Sequence, residues 1–240
     1  DKGNWLIGGF IYQWQKYCGL PMTIFGFSPP PCELPEHFTF HSLGKFEDYP
    51  ADKWSNALLE AFDTFEDEQV SIFLEDYYLV RQVPLRIFDF ATTFLRMQPD
   101  ALRFDLTSDR LYCGNIKDVG YFETYDLIEA RDSKYQISLQ AGVWNKSKLK
   151  EIVEPDMSPW DIELQGTTKL IKERKNLRVY GTRQWPVRYQ VMVRAGQLEL
   201  DGSWMLPARQ LSPRDLRELQ TYGLLSKGVS NADGESVTGS

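Results

Sequence analysis

A strand-length apolar segment closed by two carboxylates is the feature that most constrains this chain. Val70 to Leu74 is rich in β-forming residues and runs directly into Glu75 and Asp76. Apolar residues throughout a segment of this length are typical of a strand buried on both faces, inside a parallel sheet. We therefore predict an interior strand that carries the acidic pair to the carboxyl edge of the sheet.

The first half of the chain alternates between strand-like and helix-like patterns. This alternation predicts an α/β fold, a sandwich with a central, mostly parallel (mixed) sheet covered by helices on both faces. In such sheets, ligands bind beyond the carboxyl ends of the strands. The other elements predicted there are strands over Met22–Phe27, Phe38–Ser42 and Ala101–Leu106, and helices over Asp52–Phe65 and Leu85–Met97.

Two Ser-Pro pairs mark helix starts in the second half. Ser158-Pro159 and Ser212-Pro213 each supply a capping side chain followed by proline, which favours the first helical turn. Before the first of these helices, Tyr135 to Leu139 alternates like a strand. After Ser226 few apolar residues remain, so we predict a single domain over 1–225 and a disordered tail over 226–240.

Charge and composition exclude several classes of protein. The 240 residues carry a formal net charge of −7, which argues against electrostatic binding to the phosphate backbone of a nucleic acid. No apolar run approaches the roughly 18 to 20 residues that a membrane-spanning helix needs, and no signal peptide is evident. Three cysteines at wide spacing form neither a zinc motif nor a disulfide framework, so we expect a reducing, cytoplasmic location.

The acidic pair is a candidate metal site. Mg²⁺ and Mn²⁺ take hard oxygen ligands, and one or two carboxylates together with substrate phosphates are a usual arrangement. Glu75 and Asp76 could hold such an ion, which would neutralise a departing diphosphate. The alternative is that they only cap or solvate a turn. His37 and His41 flank a strand-like segment, so we do not assign them to zinc.

Two further segments contain candidate site residues. Asp161 and Glu163 are two apart, so on a helix they do not share a face. Asp161 lies in the first turn, where the helix dipole favours a carboxylate, whereas Glu163 has no such explanation. Gln140 and Trp144 supply an amide and a flat ring, a pairing suited to sugar hydroxyls and C–H faces. The alternative for Trp144 is a place in the core.

In this order, the motifs resemble those of GT-A type glycosyltransferase-like proteins of bacteria and phages. The resemblance rests on Trp54-Ser55, the strand that ends Glu75-Asp76-Tyr77-Tyr78-Leu79, Ser138-Leu139-Gln140, Ser158 to Glu163, and Tyr189 to Gly196. It extends in order from Asp1 to about Leu206. The pattern departs from the family at Glu75, where aspartate is usual, and at the start, where an apolar strand normally precedes the aspartate matched by Asp1.

The resemblance implies a GT-A-like three-layer sandwich and a metal-dependent enzyme that uses a nucleotide-sugar donor. Asp76 and Glu75 would bind Mn²⁺ or Mg²⁺. Asp1, Trp5 and Trp54 would lie near the donor, and Gln140 and Trp144 near the acceptor.

Sugar transfer to an unknown hydroxyl is therefore the predicted activity, with Glu163 or Asp161 as the base that deprotonates the acceptor in an inverting reaction. The acceptor could be a glycan, a small molecule or a modified base. Two alternatives stay open: a catalytically silent binding module with this fold, and a phage enzyme that glycosylates DNA bases.

Overall fold

The structure is a computed structural model that describes residues 3–112, 115–131, 135–194 and 196–225. Asp1 and the 226–240 segment, for which we predicted a ligand contact and a disordered tail, lie outside the described residues. No helix within the described ranges is long and apolar enough to cross a membrane.

The described residues form helices and strands that alternate along much of the chain. The helices are α1 (Ile7–Tyr17), α2 (Trp54–Asp63), α3 (Arg86–Met97), α4 (Asp109–Tyr112), α5 (Lys146–Lys150), α6 (Pro159–Glu173) and α7 (Pro213–Thr221). The strands are β1 (Met22–Gly26), β2 (Phe38–Ser42), β3 (Gln69–Ile72), β4 (Tyr77–Leu79), β5 (Ala101–Asp105), β6 (Ile116–Phe122), β7 (Tyr125–Ala130), β8 (Gly142–Asn145), β9 (Arg178–Thr182), β10 (Tyr189–Val191), β11 (Val193–Arg194) and β12 (Gln197–Leu198).

Both Ser-Pro helix starts are confirmed. Ser158 Oγ accepts a hydrogen bond from Asp161 N at 3.2 Å, and Asp161 Oδ2 accepts one from Ser158 N at 3.1 Å. Ser212 and Asp215 repeat this reciprocal arrangement at the start of α7. Each capping box satisfies backbone N–H groups that have no partner within the helix, so short-range sequence signals predict these starts well.

The α/β architecture is confirmed, with a central mixed sheet of six strands in the order β3-β8-β5-β9-β7-β6. The pairing direction differs from the mostly parallel one we expected. Among the pairs that this sheet's described residues form, only β5–β9 is parallel. Strands β6 and β7 are joined by a short turn, which imposes antiparallel pairing because parallel strands need a long crossover connection.

The prediction of an interior strand at Val70–Leu74 is wrong, because β3 lies at the edge of the six-stranded sheet and pairs with β8. Val70 and Ile72 pack against one hydrophobic cluster, whereas Phe73 and Leu74 pack against another. Ser71, between Val70 and Ile72, is exposed, and Phe73 and Leu74 lie beyond the end of β3, so the apolar residues pack on two clusters without an interior strand.

Two hydrophobic clusters cover the faces of the sheet and make the fold a three-layer sandwich. The first cluster contains residues of α1, α3 and α7, and the second contains residues of α2, α5 and α6. Neighbouring strand residues alternate between them: Val143 and Tyr180 belong to the first, and Trp144 and Val179 to the second. Helix α1, which the sequence analysis missed, contributes Phe10, Ile11 and Trp14 to the first cluster.

Helix α7 is attached to α1 through the buried carboxylate of Asp215, whose side chain is 0% exposed. It accepts hydrogen bonds from Lys16 Nζ at 2.7 Å, Tyr17 Oη at 2.8 Å and Ser212 Oγ. Burial by itself would raise the pKa of Asp215, but these three donors lower it below its ordinary value. Asp215 therefore stabilises the fold above its unfolded pKa of about 4, and this contribution is lost as the pH falls through the lower folded value.

We expect Asp215→Asn to lower the free energy of unfolding by about 1 to 3 kcal/mol near neutral pH, because three donors lose a charged acceptor. The loss should begin to shrink as the pH falls below about 4, the unfolded pKa, and should vanish below the lower folded pKa, where the wild-type carboxylate is protonated as well. Urea unfolding over this pH range is the measurement. Arg214→Gln is the control, since Arg214 makes an exposed pair with Glu218. A deficit that persists undiminished in acid, or an equal deficit in the control, would contradict this role.

Candidate functional site

The acidic pair forms a turn between β3 and β4. Glu75 and Asp76 are both half-buried, and Glu75 packs against Gly3. The turn is held in place by its backbone: Tyr77 N donates to Leu74 O at 3.1 Å, and Asp76 O accepts from Met192 N at 2.9 Å. Strand β10 pairs with β4 directly beyond this turn, so the carboxylates project from a rigid support.

Burial and then the neighbouring charge of Glu75 raise the pKa of Asp76 to about 7. The same environment acts on Tyr78, where burial and the charges of Asp76 and Glu75 raise the pKa of the phenol. Tyr78 Oη donates to Leu6 O at 2.8 Å, which places the N-terminal residues beside the acidic turn. A cation would relieve the repulsion between the two carboxylates.

The donor set suits a metal ion only if other oxygens complete its coordination. Within the described ranges, no group of three or more His, Cys, Asp or Glu side chains could hold a metal ion. Two adjacent carboxylates can nevertheless supply hard oxygen ligands, with substrate phosphates and water filling the remaining positions. Glu75 and Asp76 therefore fit an ion that binds together with a phosphorylated substrate.

Gln140 is the centre of a polar network beside the acidic turn. Its side chain donates to Tyr77 Oη at 3.4 Å and accepts from Tyr189 Oη and, at 3.3 Å, from Arg209 Nη2. The rings of Tyr77 and Tyr189 stack with centroids 4.2 Å apart, and the guanidinium of Arg209 lies 4.8 Å from the Tyr189 centroid. Strand pairing of β4 with β10 brings the two tyrosines together.

Glu163 of α6 reaches the same neighbourhood. Its Oε1 accepts from Leu139 N at 2.7 Å, and Leu139 O accepts from Tyr77 Oη at 3.5 Å. One turn further along α6, Thr167 Oγ1 accepts from Ile137 N at 3.0 Å. The segment at Tyr135–Leu139 is consequently not the strand we predicted: its backbone bonds to α6 side chains and belongs to no sheet. Three segments chosen from the sequence, which contain Tyr77, Leu139 and Glu163, are thus linked by hydrogen bonds through Leu139.

Asp161 has a structural explanation. Its carboxylate accepts hydrogen bonds from Ser158 N, Ser158 Oγ and Gln165 Nε2, at 3.1, 2.6 and 2.7 Å. The bonds from Ser158 and then that from Gln165 lower the pKa of Asp161. These contacts fix the start of α6, so Glu163 is the better candidate for a base.

The tryptophans divide between the core and the acidic turn. The expectation that Trp144 contacts an acceptor is corrected, because its side chain is 0% exposed and the Arg103 guanidinium lies 4.4 Å from its ring centroid. Trp54 packs into the second cluster, on the sheet face opposite the first cluster. Trp5 packs against the first cluster and precedes Leu6, which contacts Tyr78, so of these three it alone lies beside the acidic turn.

A buried charged group that the sequence patterns did not predict joins the central strand β5 to helix α4. Arg103, Asp105 and Arg110 are all 0% exposed, and both arginines form ion pairs with Asp105. Arg103 Nη2 donates to Gln140 O and Arg110 Nη2 donates to Tyr135 O, each at 2.7 Å. The two arginines therefore hold both ends of the segment that carries Gln140.

A glycine makes room for this charged group. A Cβ at Gly181 would lie 2.8 Å from Arg110 Cγ and 3.0 Å from Asp105 Cβ, closer than packed side chains tolerate. The sequence signal was available: Arg103 and Asp105 are alternate residues of a predicted strand, so they point to one face, and burying charges there requires that they be paired.

The comparisons with known proteins give only weak similarities. No protein-family model matches the chain, and no curated protein matches it significantly. A cytidylyltransferase from Leptospira borgpetersenii serovar Hardjo-bovis is 12% identical, with 92% of this chain and 86% of that chain covered and a TM-score of 0.42. A CMP:2-keto-3-deoxy-manno-octonic acid synthetase complexed with CTP is 9% identical, with coverage of 73% and 77% and a TM-score of 0.37. Similarities this weak carry no information about the activity of the chain.

Proposed function

We propose that this chain transfers a sugar from a nucleoside-diphosphate sugar to a hydroxyl acceptor, with the help of a divalent metal. The observation that supports the proposal is the set of hydrogen bonds that connects Tyr77, next to the acidic pair, with Gln140 and, through Leu139, with Glu163. The contacts are Glu163 to Leu139 at 2.7 Å, Leu139 to Tyr77 at 3.5 Å and Gln140 to Tyr77 at 3.4 Å. Tyr77, which directly follows the acidic pair, is thus connected to Gln140 by a hydrogen bond and to Glu163 through the backbone of Leu139.

The donor would bind at the acidic turn. Asp76 and Glu75 would hold Mg²⁺ or Mn²⁺, and such an ion neutralises the negative charge of a diphosphate leaving group. Trp5 is the aromatic residue nearest this turn among the three that the sequence suggested, and we place it near the donor.

The acceptor would bind between Gln140 and Glu163. The hydrogen bond from Leu139 N orients the Glu163 carboxylate, which takes the proton of the acceptor hydroxyl. The acceptor oxygen forms a bond to the anomeric carbon of the sugar as the bond from that carbon to the diphosphate breaks. Attack opposite the leaving group inverts the anomeric configuration. Gln140, held by Tyr77 and Tyr189, would position the acceptor through its amide.

A thermal-shift screen of nucleoside diphosphates with and without Mn²⁺ tests the donor half of this proposal. A ligand at about 100 times its dissociation constant stabilises a protein by about 2.7 kcal/mol, which corresponds to a rise of roughly 5 to 10 °C for a domain of this size. We expect such a rise for at least one nucleoside diphosphate, and only when Mn²⁺ is present. The absence of any shift across the screen would favour a silent binding module.

A further inference from the structure

A cavity of about 500 Å³ lies at the edge of the sheet opposite the carboxyl end of β5. It is bounded by the end of β7, the start of β9 and the last turn of α6, and its floor is apolar, formed by Ala130, Leu170 and Leu177. Its volume falls within the range of roughly 300 to 1,000 Å³ typical of small-molecule sites. None of the residues proposed above for sugar transfer lines it.

Four cationic side chains line this cavity: Arg131, Lys172, Lys175 and Arg178. Among the residues that the structure describes, no acidic one lines it, although the whole chain carries a net charge of −7. Glu129, behind the lining, pairs with both arginines. One carboxylate against two guanidiniums leaves part of their charge uncompensated.

The two lysines provide the clearest excess of charge. Both are exposed, and their ammonium groups form no hydrogen bond or ion pair within the part of the chain that the structure describes. Lys172 lies in the last turn of α6 and Lys175 in the turn that follows the helix, and both line the cavity. Lysine is favourable near a helix C-terminus, which explains one such residue without a ligand. It does not explain why all four cations line the same cavity.

We infer that this cavity binds a small phosphate-bearing molecule, at a site separate from the acidic turn. Guanidinium and ammonium groups are the usual protein partners of phosphate, the former through paired N–H donors and the latter as point charges. The apolar floor would accommodate the part of the ligand that carries no charge. A volume of about 500 Å³ suits a small molecule better than a polymer. The cationic lining would repel a divalent metal, so binding should not require one.

The experiment is calorimetry of wild-type protein with inorganic pyrophosphate, uridine monophosphate and uridine, all in the presence of a metal chelator. The chelator removes any metal-dependent binding at Glu75 and Asp76, so failure here and failure of the proposed sugar transfer are distinguishable. We expect pyrophosphate and uridine monophosphate to bind and uridine to bind far more weakly. Raising the ionic strength to about 1 M, where charges are screened within about 3 Å, should weaken the binding.

The decisive variant is the double substitution Lys172→Gln/Lys175→Gln. We expect it to weaken phosphate binding about tenfold, since each partly exposed charge contributes a few-fold. Lys45→Gln/Lys53→Gln is the matched control: both residues are exposed, lie outside the cavity and change the net charge equally. Equal weakening in both double variants would show a general charge effect and overturn the site. So would unchanged affinity in Lys172→Gln/Lys175→Gln, or no phosphate binding by the wild type at millimolar concentrations.

Discussion

Replacing Glu163 with glutamine is expected to reduce turnover about 100-fold or more, the usual scale for removing a general base. Glutamine keeps the size of the side chain and an oxygen that can accept the hydrogen bond from Leu139 N. It cannot take a proton from the acceptor hydroxyl. Folding and nucleotide affinity should therefore be retained, and the loss should fall on kcat.

Asp161→Asn is the matched control for this prediction, because Asp161 lies on the same helix two residues earlier and has a capping role. We expect this variant to keep normal turnover with a somewhat lower Tm. Steady-state transfer with the donor found in the nucleotide screen is the measurement, with circular dichroism to confirm folding. Normal turnover in Glu163→Gln would remove Glu163 from the mechanism, and loss in Asp161→Asn alone would reverse the two roles.

Asp76→Asn is expected to remove the dependence of nucleotide binding on metal. Asparagine keeps the shape and one oxygen of the side chain but loses the charge that offsets a cation. The affinity for a nucleoside diphosphate in the presence of Mn²⁺ should fall at least about tenfold, the scale of one lost charge-assisted interaction. Calorimetry with and without Mn²⁺ measures both the affinity and its dependence on metal.

Folding should survive this substitution. Burial and the charge of Glu75 disfavour the ionised form of Asp76, so a neutral residue there should leave the metal-free protein at least as stable as the wild type near neutral pH. Asp52→Asn, an exposed site in the turn before α2, controls for the change in net charge. Metal-independent binding of equal strength in wild type and Asp76→Asn would refute the metal role and favour a binding module without this chemistry.

The inferred phosphate cavity and the Gln140 network are joined through a buried chain of charged groups. Gln136 lines the cavity and accepts from Arg110 Nη1 at 3.3 Å. Arg110 and Arg103 pair with Asp105, and Arg103 donates to Gln140 O. The cavity and the Gln140 network therefore both contain residues of the segment Tyr135–Gln140, and Arg103 and Arg110 hold the two ends of this segment.

Local signals in the sequence determined the helix starts and the general architecture. A capping serine, a proline and an acid three residues after the serine act within one helical turn, so Ser158 and Ser212 predict α6 and α7 without knowledge of the rest of the fold. The alternation of strand and helix patterns likewise led to an α/β sandwich with a mixed sheet, because apolar periodicity depends only on neighbouring residues.

Only the tertiary structure decided which strands pair and which polar residues meet. The apolar residues between Val70 and Leu74 pack against two different clusters, two from the edge strand β3 and two from the segment after it, and this has the same sequence signature as an interior strand. The core position of Trp144 was settled by tertiary contacts such as that with Arg103, which precedes it by about forty residues. Contacts of this kind join residues that are distant in sequence, and no local sequence pattern specifies which residues will meet. For that reason the acidic pair could be singled out from the chain alone, whereas the hydrogen bonds that link Tyr77, Leu139 and Glu163 could not.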